Sequence, residues 1–574
     1  MKRQTLVYGV LSLTAVASIT SCVDDKYDLS DIDTTSRFTV DNLTVPVPLS
    51  EIKLENVINL DDNENIEKVI DKDGNEYYAI VKGGEIATSE LSIDGIHVAQ
   101  PSFSPSIFSV DLPVPGGIVL PGVAIDLPAI DLPHVDLQSY EFGMNNVDKA
   151  LIKLKDVHTK NPIKIQVVLT VPSVLINAKS SIAFQNIKLQ LPWGMISSNP
   201  NYDKETGMLI INELAVDQYG KATLDFEANG LDLGNKGTVV DGYLGISGMV
   251  GIDAAQIKIS VADIEIPSSI DIKAEYSVSS FDISSFSGTI NYEMDDIDID
   301  PISLSGLPDF LDSPETDIVI ANPQILVSIN NPVGKYGLTG SGMIRLTSKF
   351  KNGESINYDS DEFFIAGDHT DLAFCTPKTG YTDVKFDGLR KVLSSDGVGL
   401  PEEVKVNIQN ISFAGDVTDF PLGDNIGTAD GSYEFSAPLG FGEGSKVVYE
   451  TTEDGWGSDD LDDVNITKIH LKAICSTNLP VSVQLTVVPV DKNGNEIRVK
   501  ENSGLFSVPA KANNVPVELL IESVNGPIKD FDGVKFRAVV NQDSADNVDA
   551  LGPDLYINLG DVRVTVDGYY ETEF

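Results

Sequence analysis

Basic side chains are in short supply: 40 lysines and arginines face 87 aspartates and glutamates, a formal net charge of −47 over 574 residues. A surface of that sign repels phosphate backbones and excludes nucleic acid as a partner. Histidine is scarcer still. The five present (His97, His134, His158, His369 and His470) form no His-Glu-x-x-His or other paired metal spacing, so no zinc-hydrolase site is written in the chain. Three cysteines are too few for a disulfide framework in a chain this long. Tryptophan is limited to Trp193 and Trp456, and aromatics make up only 7%, which leaves few stacking platforms for a long sugar cleft. Beyond the N-terminus no segment approaches the roughly 20 consecutive apolar residues of a membrane helix. Helical periodicity is also rare, with short candidates only at residues 50–60, 307–311 and 387–393.

Period-two alternation fills the chain instead. Ile163, Ile165, Val167, Leu169 and Val171 share one face of a run whose other face carries Lys164, Gln166 and Thr170. Val481, Val483, Leu485 and Val487 alternate with polar residues, as do Val562, Val564 and Val566. Such patterns predict half-buried strands. Lys72-Asp73-Gly74-Asn75 and Lys492-Asn493-Gly494-Asn495 are hairpin signals between strand-like runs. With 42% hydrophobic residues, the expected fold class is all-β, built as two or three antiparallel β-sandwich modules in series. Residues 101–135 repeat Leu-Pro pairs at Leu112, Leu120, Leu127 and Leu132, which predicts an edge strand or extended strap, because proline has no amide for a central ladder. A strand–Asn/Pro–strand pattern recurs around Asn161-Pro162, Asn322-Pro323 and Asn478-Leu479-Pro480, at domain-sized spacing.

The N-terminus carries the clearest motif. Lys2 and Arg3 precede a mostly apolar stretch, Thr5 to Ser18, which ends at Ile19-Thr20-Ser21-Cys22. This resembles a bacterial lipobox, which implies cleavage before Cys22 and attachment of diacylglycerol and a further acyl chain such as palmitate at that residue. An ordinary secretory signal is the alternative. Acidic residues follow at once, with Asp24, Asp25, Asp28, Asp31 and Asp33. The run resembles the surface-export signal of Bacteroidota lipoproteins, and the whole stretch resembles the start of large Bacteroides-type lipoproteins; a plain solvated linker is the alternative reading. The resemblance implies Cys22 as the lipid attachment, Asp24 and Asp25 as export determinants, and an outer-membrane location facing the cell exterior. It covers residues 1–35 and says little of activity. Several acyl chains anchor stably where one does not. Asp33-Thr34-Thr35 and Asp543-Ser544-Ala545 also resemble Bacteroidota O-glycosylation acceptors.

The expected organisation is therefore a signal peptide at 1–21, an acidic tether at 22–45, an N-terminal β region with the Pro-rich strap at 46–140, and β-sandwich modules at 141–300, 301–445 and 446–574. Catalytic motifs are missing from it. Gly245-Ile246-Ser247-Gly248 lacks the glycine spacing of a nucleophile elbow, and Gly440 to Lys446 lacks the ending of a phosphate loop and places Glu443 where phosphate would sit. Carboxylate pairs of glycosidase type are guaranteed by chance among so many acids, so an enzyme is not expected, with a hidden glycosidase as the residual alternative. Trp456, in the polar loop Glu453-Asp454-Gly455-Trp456-Gly457, is a candidate for stacking on a sugar, whereas Trp193 reads as core or domain-junction packing. Asp454, Asp459, Asp460, Asp462 and Asp463 are a candidate structural calcium site without the EF-hand spacing; no other cofactor is expected. Asp296, Asp298 and Asp300 alternate with isoleucines and read as a solvated strand face. Cys375 and Cys475 either pair or remain buried thiols. The expected function is a non-catalytic binding or scaffold lipoprotein, held to the membrane through Cys22 and facing an extracellular glycan or protein. The alternatives are glycan capture beside an outer-membrane importer and a fimbria-like adhesin or structural subunit.

Overall fold

The computed structural model describes residues 35–45, 51–57, 66–71, 74–114, 117, 122–304, 311, 313–394, 399–456, 464–500, 503–542 and 548–573. The fold is all-β. Among the described residues, five sheets of twelve, seven, six, five and four strands account for nearly all regular structure. Their pairings are antiparallel apart from Thr382–Val384, which runs parallel to His369–Cys375. One α-helical turn, Leu54–Val57, and a 3₁₀ segment, Asp387–Lys391, fall within two of the predicted helical stretches.

The alternation explains the strands. In Leu151–Thr170, Ile163, Ile165, Val167 and Leu169 are all buried while Lys164 and Gln166 are not. This strand passes through Asn161-Pro162 without ending. The register against Lys221–Asp232 slips between His158 and Ile163, so a bulge absorbs the residue that cannot donate a ladder bond. On its other edge the first half pairs with Phe281–Glu293 and the second half with Ser269–Val278.

Two hydrophobic cores result. The larger draws on the twelve-, seven- and six-stranded sheets and runs continuously from Ile66 to Val447. The smaller lies between the five-stranded and four-stranded sheets, a terminal sandwich with Ile469, Leu471, Val487, Ile521, Val564 and Val566 at its centre. A small cluster of Val481, Val548 and Leu551 joins them. The Leu-Pro strap lies along the larger body. Leu112, Leu127 and Leu132 are buried, and their amides bond the carbonyls of Ser268, Ile259 and Ala255 at 2.8–2.9 Å.

The path of the chain is not a simple series. Thr35–Val45, within the stretch expected to be tether, is a strand of the terminal sandwich and pairs with the C-terminal strand Tyr556–Glu573 from Thr35↔Glu573 to Val45↔Val564. An Arg37–Glu571 ion pair and the Arg37 guanidinium 4.6 Å from the Tyr569 ring hold its outer end. Glu76–Ser92 then joins the six-stranded sheet beside Asn425–Pro438, and Val135–Met144 joins the seven-stranded sheet beside Leu244–Val261. Ile297–Ser303 straddles residue 300 and pairs with Glu403–Pro421, so the twelve-stranded sheet is continuous across that position. The chain therefore starts in the terminal sandwich, visits the larger body, and returns to finish where it began.

Candidate functional site

The inner face of the four-stranded sheet is a grid of three rows. Val447, Val540 and Val483 stand side by side, then Tyr449, Ala538 and Leu485, then Thr451, Phe536 and Val487. Branched or aromatic side chains surround a single methyl group, because Ala538 occupies the centre. A cavity of about 170 Å³ borders the alanine. From the opposite sheet Ile557 and Leu559 close it, and Leu479 and Leu555 complete its floor.

One side of this cavity meets solvent. Lys446–Glu453 is the edge of its sheet, and Ile52–Lys53 is the facing edge strand beside Ile557 and Tyr556. Ile52 is exposed, Tyr449 and Thr451 are half-buried, and Leu54 sits in the helical turn whose first amide bonds the Leu555 carbonyl at 2.8 Å. Among the described residues no charged side chain lines the space, and Tyr449, Thr451 and Tyr556 are the hydroxyl-bearing residues around it. Native interiors rarely leave voids of this size. An engineered apolar cavity of about 150 Å³ stays dry and takes up benzene or xenon.

The outer face of the same sheet is ionic. Lys535 Nζ lies 2.8 Å from Glu450 and 3.0 Å from Glu496. Arg537 pairs with Glu450 and Glu315, and Lys446 reaches Glu315 at 3.3 Å. These two cations, Arg537 first, hold the Glu315 carboxyl below its ordinary range. The Asp317 and Lys446 amides exchange backbone bonds at 2.7 Å, which fastens this segment of the larger body to the edge of the terminal sandwich.

Trp456 corrects an expectation. Its side chain is 8% exposed and packs edge-on against Phe531, with ring centroids 5.8 Å apart and planes at 78°. Its amide bonds the Asp532 carbonyl at 2.7 Å, which turns the ring into the terminal core. It therefore offers no exposed platform to a sugar. Trp193 is the more accessible of the two, half-buried with Lys236 Nζ 4.6 Å from its ring centroid. Asp454 is exposed beside Trp456, while Asp459, Asp460, Asp462 and Asp463 lie outside the described residues, as do Cys22, Asp24 and Asp25. Among the described residues no group of three or more histidines, cysteines or acids is placed to hold a metal ion.

Cys375 and Cys475 are both free thiols, and burial pushes both upward in pKa. The histidines are scattered, each 2.6–3.6 Å from a nearby aspartate. Asp298 and Asp300 are exposed around buried Ile299, with Asp298 accepting from Asn407, a solvated strand face. Gly245 to Gly248 lies inside the strand Leu244–Val261, and Gly440 to Lys446 is followed by a strand rather than a helix. Sequence reasoning missed the Ala538 cavity. The one visible signal is an alanine among the inward positions Val534, Phe536, Ala538 and Val540.

No family model matches the chain, and no curated protein matches it. Among solved structures it is similar to a protein of Parabacteroides distasonis described as secreted, at 13% identity and a TM-score of 0.35, over 50% of this chain and 90% of that one.

Proposed function

We propose that the protein is a lipoprotein of the outer membrane, acylated at Cys22, exposed to the cell exterior through the export signal around Asp24 and Asp25, and acting by binding or scaffolding rather than catalysis. The observation that carries this reading is the run from Lys2 through Ile19-Thr20-Ser21-Cys22 into the acidic stretch ending at Asp33. The fold supplies it with a mechanical sense. Residues 23–34 lead directly into Thr35–Val45, so the tether is received by an edge strand of the terminal sandwich. Twelve extended residues reach at most about 40 Å, which keeps this sandwich close to the bilayer and suspends the larger body from it. Strong negative charge holds that body off an anionic membrane surface.

With Trp456 buried, the residue that favoured glycan capture no longer supports it, and the binding or scaffold reading stands ahead. Substitution Cys22→Ala tests the anchor: the variant should leave the membrane fraction for the soluble fraction. Sedimentation of Cys22→Ala with the envelope, at the level of the wild type, would overturn the reading.

A further inference from the structure

We infer that the cavity above Ala538 is a binding site for a single aliphatic chain, the apolar end of a lipid or lipid-like molecule, with about six carbons inside the terminal sandwich. The inference rests on the cavity and not on the anchor. Its shape follows from one small residue at the centre of a grid of large ones, rather than from loosened packing around it: Val483, Phe536, Val487 and Val447 are all buried and paired in register. Its volume of about 170 Å³ matches roughly six methylene groups, if each takes about the 30 Å³ share of a water molecule. The lining gives water too few partners, since its hydroxyls come from Tyr449, Thr451 and Tyr556 and the remaining side chains are hydrocarbon.

The mouth selects the shape of the ligand. It lies between two edge strands, Lys446–Glu453 and Ile52–Lys53, so a chain can enter end-on while its polar head stays among Tyr449, Thr451 and solvent. The strongly acidic protein disfavours an anionic head, which points to a neutral or zwitterionic one.

The test uses the full chain with Cys22→Ser and a series of straight-chain alcohols from 1-butanol to 1-decanol. Affinity should rise about fourfold per added carbon and level off once about six carbons are buried. Binding should raise the melting midpoint and shift the methyl resonances of Leu485, Ile557 and Leu559. Ala538→Leu should abolish these effects while melting no lower than the parent, and Ala538→Val, which narrows the space, should move the plateau to a shorter chain and keeps the test alive if the larger variant misfolds. Failure of every alcohol to bind, binding that keeps strengthening beyond eight carbons, or unchanged binding in both variants would overturn the proposal. Two sources share this chemistry. A lipid that co-purifies with Cys22→Ser, seen by native mass spectrometry, identifies a free lipid. An empty Cys22→Ser cavity, beside an acylated wild type whose methyl resonances already sit at the ligand-bound positions, identifies the chain's own acyl group. Loss of membrane attachment is read separately by fractionation, so failure of the anchor and failure of the cavity are distinguishable.

Discussion

Replacing Trp456 with alanine should damage the terminal sandwich rather than any surface interaction. The indole is 8% exposed, sits edge-on to Phe531, and belongs to the same core as Ile466, Val534 and Val566. Truncating a buried aromatic residue to alanine costs about 3–5 kcal/mol, of which the ring pair supplies about 0.5–1.5. The lower end applies here, because exposed Asp454 and Gly455 flank the residue and let the rim of the sandwich relax. A loss of about 3 kcal/mol lowers the midpoint of a unit of this size by roughly 10 °C. Trp456→Phe keeps a ring against Phe531 and should recover more than half of that. Calorimetry gives the midpoint, and hydrogen exchange over Phe531–Asn541 localises the effect, since that strand carries the partner ring. The reasoning fails if Trp456→Ala melts like the wild type and leaves exchange in this strand unchanged. A normally folded Trp456→Ala that has lost affinity for a polysaccharide would restore the glycan reading.

Two further predictions concern other parts of the fold. The Tyr276 ring meets Phe103 edge-on with centroids 4.8 Å apart, and its buried hydroxyl has no hydrogen-bond partner among the described residues, so burial drives its pKa far upward. Tyr276→Phe should therefore stabilise the larger body by about 1–2 kcal/mol, and a lower urea midpoint for the variant would contradict this. Asp359 takes two bonds from Arg345, at 2.6 and 2.8 Å across neighbouring strands, and this partner holds its carboxyl below the ordinary value of 3.8. Its contribution is present in full above that value and is lost as pH falls through the lowered one. Both groups are over a third exposed or close to it, so the pair is worth about 0.5 kcal/mol after screening. Asp359→Asn should remove this small term at neutral pH and leave stability less dependent on pH between 4 and 2, measured by urea unfolding at each pH.

The all-β class was legible because period two is a local property. Ile163 to Leu169 announces its buried face within a few residues, and Lys492 to Asn495 announces its turn, where Asp491 accepts amides from Asn493 and Asn495. Pairing partners are not local. Nothing near Thr35 tells of Glu573, yet that pairing turns part of an expected tether into an edge strand. The same limit explains Trp456: glycine and acids around it have the composition of an exposed loop, and only the arrival of Phe531 and Asp532 from a distant strand buries it. Ala538 is a subtler case. An inward alanine is ordinary in a strand and becomes a cavity only when both flanking strands place Tyr449 and Leu485 beside it. Cys22 and its acidic neighbours work the other way round. They are read by export and acylation machinery as sequence, so the motif itself, and not a folded geometry, carries the prediction.

Protease shaving of intact cells that make this protein tests the central claim most directly. A surface lipoprotein should be cut by added protease while a periplasmic control survives, and substitution of Asp24 and Asp25 by asparagine should protect it without releasing it from the membrane. Full protection of the wild-type protein in intact cells, with cleavage only after the outer membrane is opened, would contradict the account.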